Sequence, residues 1–152
     1  VMILIPGNQV TYREADKDFN RLNHFKVEEA GEKVAILALG DFYQRGEQLS
    51  AKIKAELGFT PTLINPRFAS GIDKELLESL SERHQMVITM EDGILSGGFG
   101  EKIASFYGSS DMKVKNYGLE KKFYDRYDPN ELLKEVGMTP VQIIADICNQ
   151  IK

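Results

Sequence analysis

Four short apolar runs, rich in branched side chains and beginning at residues 34, 62, 86 and 112, punctuate this chain. They are Val34-Ala35-Ile36-Leu37-Ala38-Leu39, Thr62-Leu63-Ile64, Met86-Val87-Ile88-Thr89-Met90 and Met112-Lys113-Val114. Runs of this length and make-up read as strands. The gaps between the first three hold segments with a helical period, and a strand–helix–strand alternation forces parallel pairing through right-handed crossovers. The pattern therefore predicts an α/β fold. The second and third runs are almost continuously apolar, as central strands covered on both faces must be. The fourth alternates with lysine and is expected nearer an edge.

Helix boundaries are marked by capping chemistry. Asp41 is expected to cap the first helix with Gln44 reaching back, Phe42, Leu49, Ile53 and Leu57 forming its apolar stripe and Gly58 stopping it. Asp73 caps a second helix over Lys74–Arg83, with Leu76, Leu77 and Leu80 inward. A third starts in Gly97-Gly98-Phe99-Gly100 and runs through Ile103, Ala104 and Tyr107. Asp128-Pro129-Asn130-Glu131 and Thr139-Pro140-Val141-Gln142 each place a cap before a proline at the first helical position. In the last helix, Val141, Ile144, Ala145, Cys148 and Ile151 line up as one face, which makes Cys148 a small buried hydrophobe. Upstream, Phe25-Lys26-Val27-Glu28 alternates and runs through a short turn into the first long strand. This predicts a hairpin, and so one antiparallel strand. Residues 1–23 read as a linker following the end of a preceding domain, and 24–152 as one domain.

Composition excludes several classes of function. Nineteen basic residues against twenty-three acidic ones leave a net charge of −4 in 152 residues, without the basic stripe that attracts nucleic acid or an anionic membrane. No apolar run approaches the ~20 residues that span a bilayer. The single cysteine cannot form an internal disulfide, which points to the cytoplasm. The opening Val1-Met2-Ile3-Leu4-Ile5 carries neither an initiator methionine nor a secretion signal, and is expected to be the cut end of something longer.

Ligands of open parallel sheets collect at the carboxyl ends of the strands. The candidates there are Asp41 after the first long strand, Asn65 and Arg67 after the second, Glu91 after the third and Asn116 after the fourth. Such a rim could bind a small polar ligand or another protein. Helix caps and strand-end ion pairs use the same residue types, and that structural role is the weightier expectation for Asp41, Arg67 and Glu91. Gly97, Gly98 and Gly100 before a helix invite a phosphate site. They lie too far from the strand for a dinucleotide fingerprint, and Glu101-Lys102-Ile103 is not a Walker sequence, so close packing against the sheet or a neighbouring subunit explains them more simply. His24 and His84 begin no metal-ligand spacing. Ser70 and Ser96 lack the Gly-x-Ser-x-Gly elbow, and Asp41 with Glu91-Asp92 only weakly imitates a phosphoacceptor cluster. Lys121-Lys122-Phe123-Tyr124-Asp125-Arg126-Tyr127 mixes bases with aromatics, and in an acidic chain it reads as a subunit contact.

Taken in order, Ile64-Asn65-Pro66-Arg67-Phe68 with Asp73, Val87-Ile88-Thr89-Met90-Glu91-Asp92, Gly97-Gly98-Phe99-Gly100, and Asn116-Tyr117-Gly118-Leu119 with Phe123 closely resemble the C-terminal, transketolase-like domain of 1-deoxy-D-xylulose-5-phosphate synthase. The resemblance implies a three-layer α/β/α domain with a five-stranded, mostly parallel sheet whose first strand is antiparallel. It implies a parent enzyme that condenses pyruvate with glyceraldehyde 3-phosphate, using thiamine diphosphate and Mg²⁺, to supply isoprenoid and thiamine precursors. The Gly-Asp-Gly motif and the activating glutamate of that family belong to other domains. The resemblance therefore implies no catalytic, cofactor or metal residue on this chain, and a structural role beside the remaining domains of a homodimer. Ile5-Pro6-Gly7-Asn8 stands where the family commonly has Tyr-Pro-Arg-Gly, so the arginine implied to meet the aldehyde's phosphate is absent, and Arg13 lies too far along to replace it. Glu120-Lys121-Lys122 replaces a Pro-Asp pair, and Glu101 a serine. Another transketolase, a 2-oxo acid dehydrogenase β-subunit-like protein, or a free-standing regulatory module that binds a small ligand would be compatible with the same fold.

Overall fold

The computed structural model describes Met2 and residues 23–151. The expected linker and the end of a preceding domain fall outside the described residues, Met2 and Asn23 aside. The elements follow in the order β1 (Lys26–Glu29), β2 (Lys33–Ala38), α1 (Tyr43–Leu57), β3 (Thr62–Asn65), α2 (Lys74–Leu80), β4 (His84–Ile94), α3 (Phe99–Tyr107), β5 (Lys113–Leu119), α4 (Pro129–Glu135) and α5 (Pro140–Gln150).

They form one five-stranded sheet in the order β1-β3-β2-β4-β5. β2 pairs in parallel with both β3 and β4, and β4 with β5, while β1 alone runs antiparallel. Because alternate side chains of a strand point to opposite faces, β2 feeds two cores. Val34, Ile36 and Ala38 pack with α1, α4 and α5; Ala35 and Leu37 pack with α2 and α3. The result is the expected three-layer α/β/α arrangement. Ile36, Leu37, Ile64 and Ile88 are wholly enclosed, each contributing roughly 1.5–3 kcal/mol of burial, which is why the apolar runs take the middle of the sheet. β5, with its lysines, lies at one edge.

Four local expectations are corrected. β1 is antiparallel, but it pairs with β3 and not in a hairpin with β2: Lys26 faces Asn65 and Val27 faces Ile64. Both edges of β2 are already taken, so the turn after β1 passes the start of β3, where Gly31 N donates to Thr62 Oγ1 at 2.8 Å and Glu32 N to Thr60 O at 2.9 Å. Asp41 caps nothing; it sits exposed in a 3-10 turn, Gly40–Phe42, and α1 begins after it with Phe42 in the cap position and no side-chain cap. α2 ends at Leu80 rather than Arg83, with a turn closing on Ser81–Arg83. In α5 the inward face is Ile143, Ile144 and Ile147, while Val141 is 62% exposed and Cys148 is exposed. Ile144 is buried and Ile151 partly packed as expected, and Ile143 and Ile147, each a larger apolar side chain than Val141, Ala145 or Cys148, take the rest of the inward face. The caps at Gly58, Asp73, Asp128 and Thr139 are formed as expected, the last as a full capping box.

Candidate functional site at the carboxyl ends of the strands

β2 sends its crossover helix to one face of the sheet and β4 to the other, so their carboxyl ends mark the switch point where ligands of such sheets collect. Here Leu39 N donates to Met90 O at 2.9 Å, and the Gly40–Phe42 turn packs against β4. Around this point the predicted rim residues separate into two groups.

The first lies beneath the start of α3. The pairing of β4 with β5 is regular to Met90–Tyr117, then breaks before Ile94–Leu119. Within the break Glu91 is turned inward, only 5% exposed. Its carboxylate accepts Phe99 N at 2.9 Å and Gly100 N at 2.8 Å, while Glu101 accepts Gly97 N at 2.6 Å. Two carboxylates thus satisfy the orphan amides and positive end of the helix. Beside them Thr89 Oγ1 donates to Asn116 Oδ1 at 2.8 Å. A Cβ at Gly98 would lie 2.6 Å from the Ile94 carbonyl and 2.7 Å from the Glu91 carboxylate; one at Gly100 would lie 2.4 Å from Thr89 Oγ1. The helix start can therefore sit on Glu91, Thr89 and Asn116 only where side chains are absent. Gly97, at φ +77°, makes the turn into it.

The second group surrounds the entry to β1. Asn65 Oδ1 accepts Arg67 N at 3.0 Å, and Arg67, at φ +61°, donates Nη2 and Nε to the His24 carbonyl at 2.7 and 3.1 Å. Asp73 divides its carboxylate between Leu76 N of α2, at 3.1 Å, and Phe25 N, at 2.9 Å, with His24 Nδ1 3.4 Å away. Lys102 Nζ reaches from α3 to the Ala69 carbonyl at 2.8 Å, joining this loop to the first group. Asp41 belongs to neither.

A third feature was not anticipated from the sequence. Beside the β5 edge a cleft of ≈ 370 Å³ opens between the strand and the two C-terminal helices, lined by Leu95, Tyr117, Gly118, Val136 and Gly137 among others. Tyr117 Oη donates to Asp146 Oδ2 at 2.7 Å, and burial, then that bond, pushes its phenol well above the usual tyrosine range. Lys115 lies 3.7 Å from the same carboxylate, and Lys122 3.2 Å from Glu135. Asn116, Tyr117 and Gly118 belong to a motif that stands out in the sequence, but no periodicity joins them to the rest of the lining, which comes from four separate segments. At the opposite end of the strands, His84 Nε2 lies 2.8 Å from Thr62 Oγ1 and Nδ1 2.9 Å from Leu80 O, and burial lowers its pKa.

No group of three or more His, Cys, Asp or Glu able to hold a metal ion occurs among the described residues. No helix among them is long and apolar enough to cross a membrane.

A family model described as transketolase, C-terminal domain, matches residues 23–143. The 1-deoxy-D-xylulose-5-phosphate synthase of Shouchella clausii is 32% identical over 99% of this chain, which corresponds to 24% of that protein. That of Clostridium perfringens is 38% identical over 74% of this chain and 18% of its own length. The chain thus spans about a quarter or less of these relatives. A solved split-gene transketolase, described as an inactive β4 tetramer, superposes with a TM-score of 0.73 at 23% identity, covering 84% of this chain and 42% of that one.

Proposed function

Since the chain belongs to the transketolase C-terminal domain family, we propose that residues 24–152 are the supporting third domain of a 1-deoxy-D-xylulose-5-phosphate synthase and carry none of its chemistry. The parent is a cytoplasmic transferase joining pyruvate to glyceraldehyde 3-phosphate for isoprenoid and thiamine precursors. Its thiamine diphosphate and Mg²⁺ are held by the other domains. The observation that carries this reading is what the rim does: Glu91 and Asn65 accept backbone amides, Arg67 donates to a backbone carbonyl, and Asn116 Oδ1 accepts from the Thr89 hydroxyl. These residues do not fit a diphosphate site, because the glycine-rich helix start already holds carboxylates that would repel one.

Such a domain contributes surface and rigidity, and we propose that this includes self-association, as the β4 assembly of the split-gene transketolase illustrates for that protein. Titration calorimetry of the polypeptide with thiamine diphosphate and Mg²⁺ is expected to give no binding heat. Saturable binding in the micromolar range would overturn the reading. The competing role as a ligand-binding regulatory module predicts a metabolite-induced rise in melting temperature that Arg67→Met abolishes.

A further inference from the structure

The amino ends of the strands hold a series of hydrogen bonds whose direction is fixed by its two ends. The Leu80 carbonyl can only accept, so His84 Nδ1, 2.9 Å away, carries a hydrogen. In the neutral ring Nε2 is then bare, and the Thr62 hydroxyl 2.8 Å from it must donate. With its hydrogen committed there, Thr62 Oγ1 turns a lone pair to Gly31 N, which donates at 2.8 Å. The series joins the end of α2, the starts of β4 and β3 and the turn between β1 and β2, and each bond polarises the next.

A second hydrogen on the ring breaks this order. On Nε2 it points at the hydrogen of the Thr62 hydroxyl, and turning that hydroxyl away strands its hydrogen on a residue only 4% exposed, where an unmatched donor is costly. His84, half-buried at the first position of β4, has the easier course of carrying its charge out to water. Of the charged groups around the ring, Arg83 opposes its protonation and Glu32, in the turn, favours it. Lys33, facing it from β2, holds its ammonium over the Phe59 ring at 5.1 Å, and Thr62 of β3 and the Leu80 carbonyl of α2 are uncharged. The turn itself is tightly set. A Cβ at Gly31 would overlap the Thr60 carbonyl, and Lys33 takes φ +66°, which residues with side chains rarely adopt. We propose that Gly31, Thr62, His84 and Leu80 form a proton-operated latch: a proton from solvent on His84 Nε2 releases the ring from Thr62, and the β1–β2 turn opens at Gly31. Burial, the largest influence on the ring, holds its pKa below the ordinary 6.5, so the latch is shut at neutral pH and yields in acid.

Histidine NMR and amide exchange on the isotope-labelled full chain test it. In the neutral ring the hydrogen is expected on Nδ1, with Nε2 bare. Gly31 protection, taken relative to the intrinsic exchange rate at each pH, is expected to fall ~5-fold or more between about pH 8 and about pH 5, the range over which a histidine titrates. Urea added below the unfolding transition should speed exchange at Ile88, in the centre of the sheet, but not at Gly31, because a local opening exposes little surface. His84→Gln should make Gly31 protection indifferent to pH. Thr62→Val, which keeps the shape without the hydroxyl, should leave Gly31 weakly protected throughout, and Thr62→Ser should behave as the wild type. A cooperative urea transition shows that each variant folds. A hydrogen on Nε2 of the neutral ring, Gly31 protection unaffected by pH, a fall that persists in His84→Gln, or Gly31 exchange as sensitive to urea as that of Ile88 overturns the latch.

Discussion

Replacing Glu91 by glutamine probes the strand-end arrangement with almost no change of shape. The carboxylate accepts two buried backbone donors, Phe99 N and Gly100 N, one on each oxygen. A glutamine keeps one acceptor and presents an NH₂ to the other donor. One charge-assisted bond is lost, worth about 1.5–3 kcal/mol, and a buried amide is left facing a donor, for a combined cost of ~2–4 kcal/mol. The negative charge at the α3 N-terminus, which favours the helix by ~0.3–1 kcal/mol or somewhat more when buried, is also removed. For a domain of this size each kcal/mol lowers the melting temperature by about 2–4 °C, so Glu91→Gln should melt about 4–16 °C below the wild type in scanning calorimetry. Urea titration should give a lower midpoint with an unchanged slope. Asp92→Asn, one residue along and exposed, should shift the melt by no more than ~1 °C, as surface changes do. A Glu91→Gln protein as stable as the wild type would refute the idea that this carboxylate holds α3 on the sheet.

Gly100→Ala should destabilise by ~1–3 kcal/mol despite alanine's better helix propensity, because the new Cβ would lie 2.4 Å from Thr89 Oγ1; a neutral or stabilising outcome in denaturant titration would show that the helix start can lift away. His84 has its pKa lowered from 6.5 by burial, so the unfolded chain takes up its proton first. Stability attributable to His84 is therefore full above pH 6.5 and is lost as pH falls from there through the folded-state value. His84→Gln should flatten that part of the pH–stability curve, and an identical slope in the variant would exclude the histidine as its source. Cys148, exposed on α5, should react with a thiol reagent in the native state at a rate near that of the unfolded chain; protection until denaturation would mean that α5 is turned the other way.

Much of the fold is legible in the sequence because its signals are local. Four runs of branched residues, the Asp-Pro and Thr-Pro starts and Gly58 each fix an element from within a few residues. Where the outcome depends on partners far along the chain, local pattern fails. β1 reads as half a hairpin, yet its mate is decided by β2 having both edges filled by β3 and β4. The face of α5 reads equally well through Cys148 or through Ile147, and only the volume waiting above the sheet chooses. Glu91, Asn65, Arg67 and Asn116 could be picked out by their place near strand ends, although Glu91 and Asn116 lie inside β4 and β5 rather than after them, but not the amides, hydroxyl and carbonyls they meet. Asp73 signals its cap of α2 through Leu76 three residues on, whereas its second bond, to Phe25 N, spans 48 positions and leaves no trace in the spacing.

The seating of β1 against β3 also sets an order of events. During synthesis β1 leaves the ribosome ahead of the other four strands of this sheet, but the edge it needs does not exist until α1 has formed and β3 has joined β2. Closing that contact late, over a long loop, is the kind of non-local step that slows folding. The strand made first must wait, and Lys26 and Val27 form the margin of the sheet from which amide exchange by local opening should start.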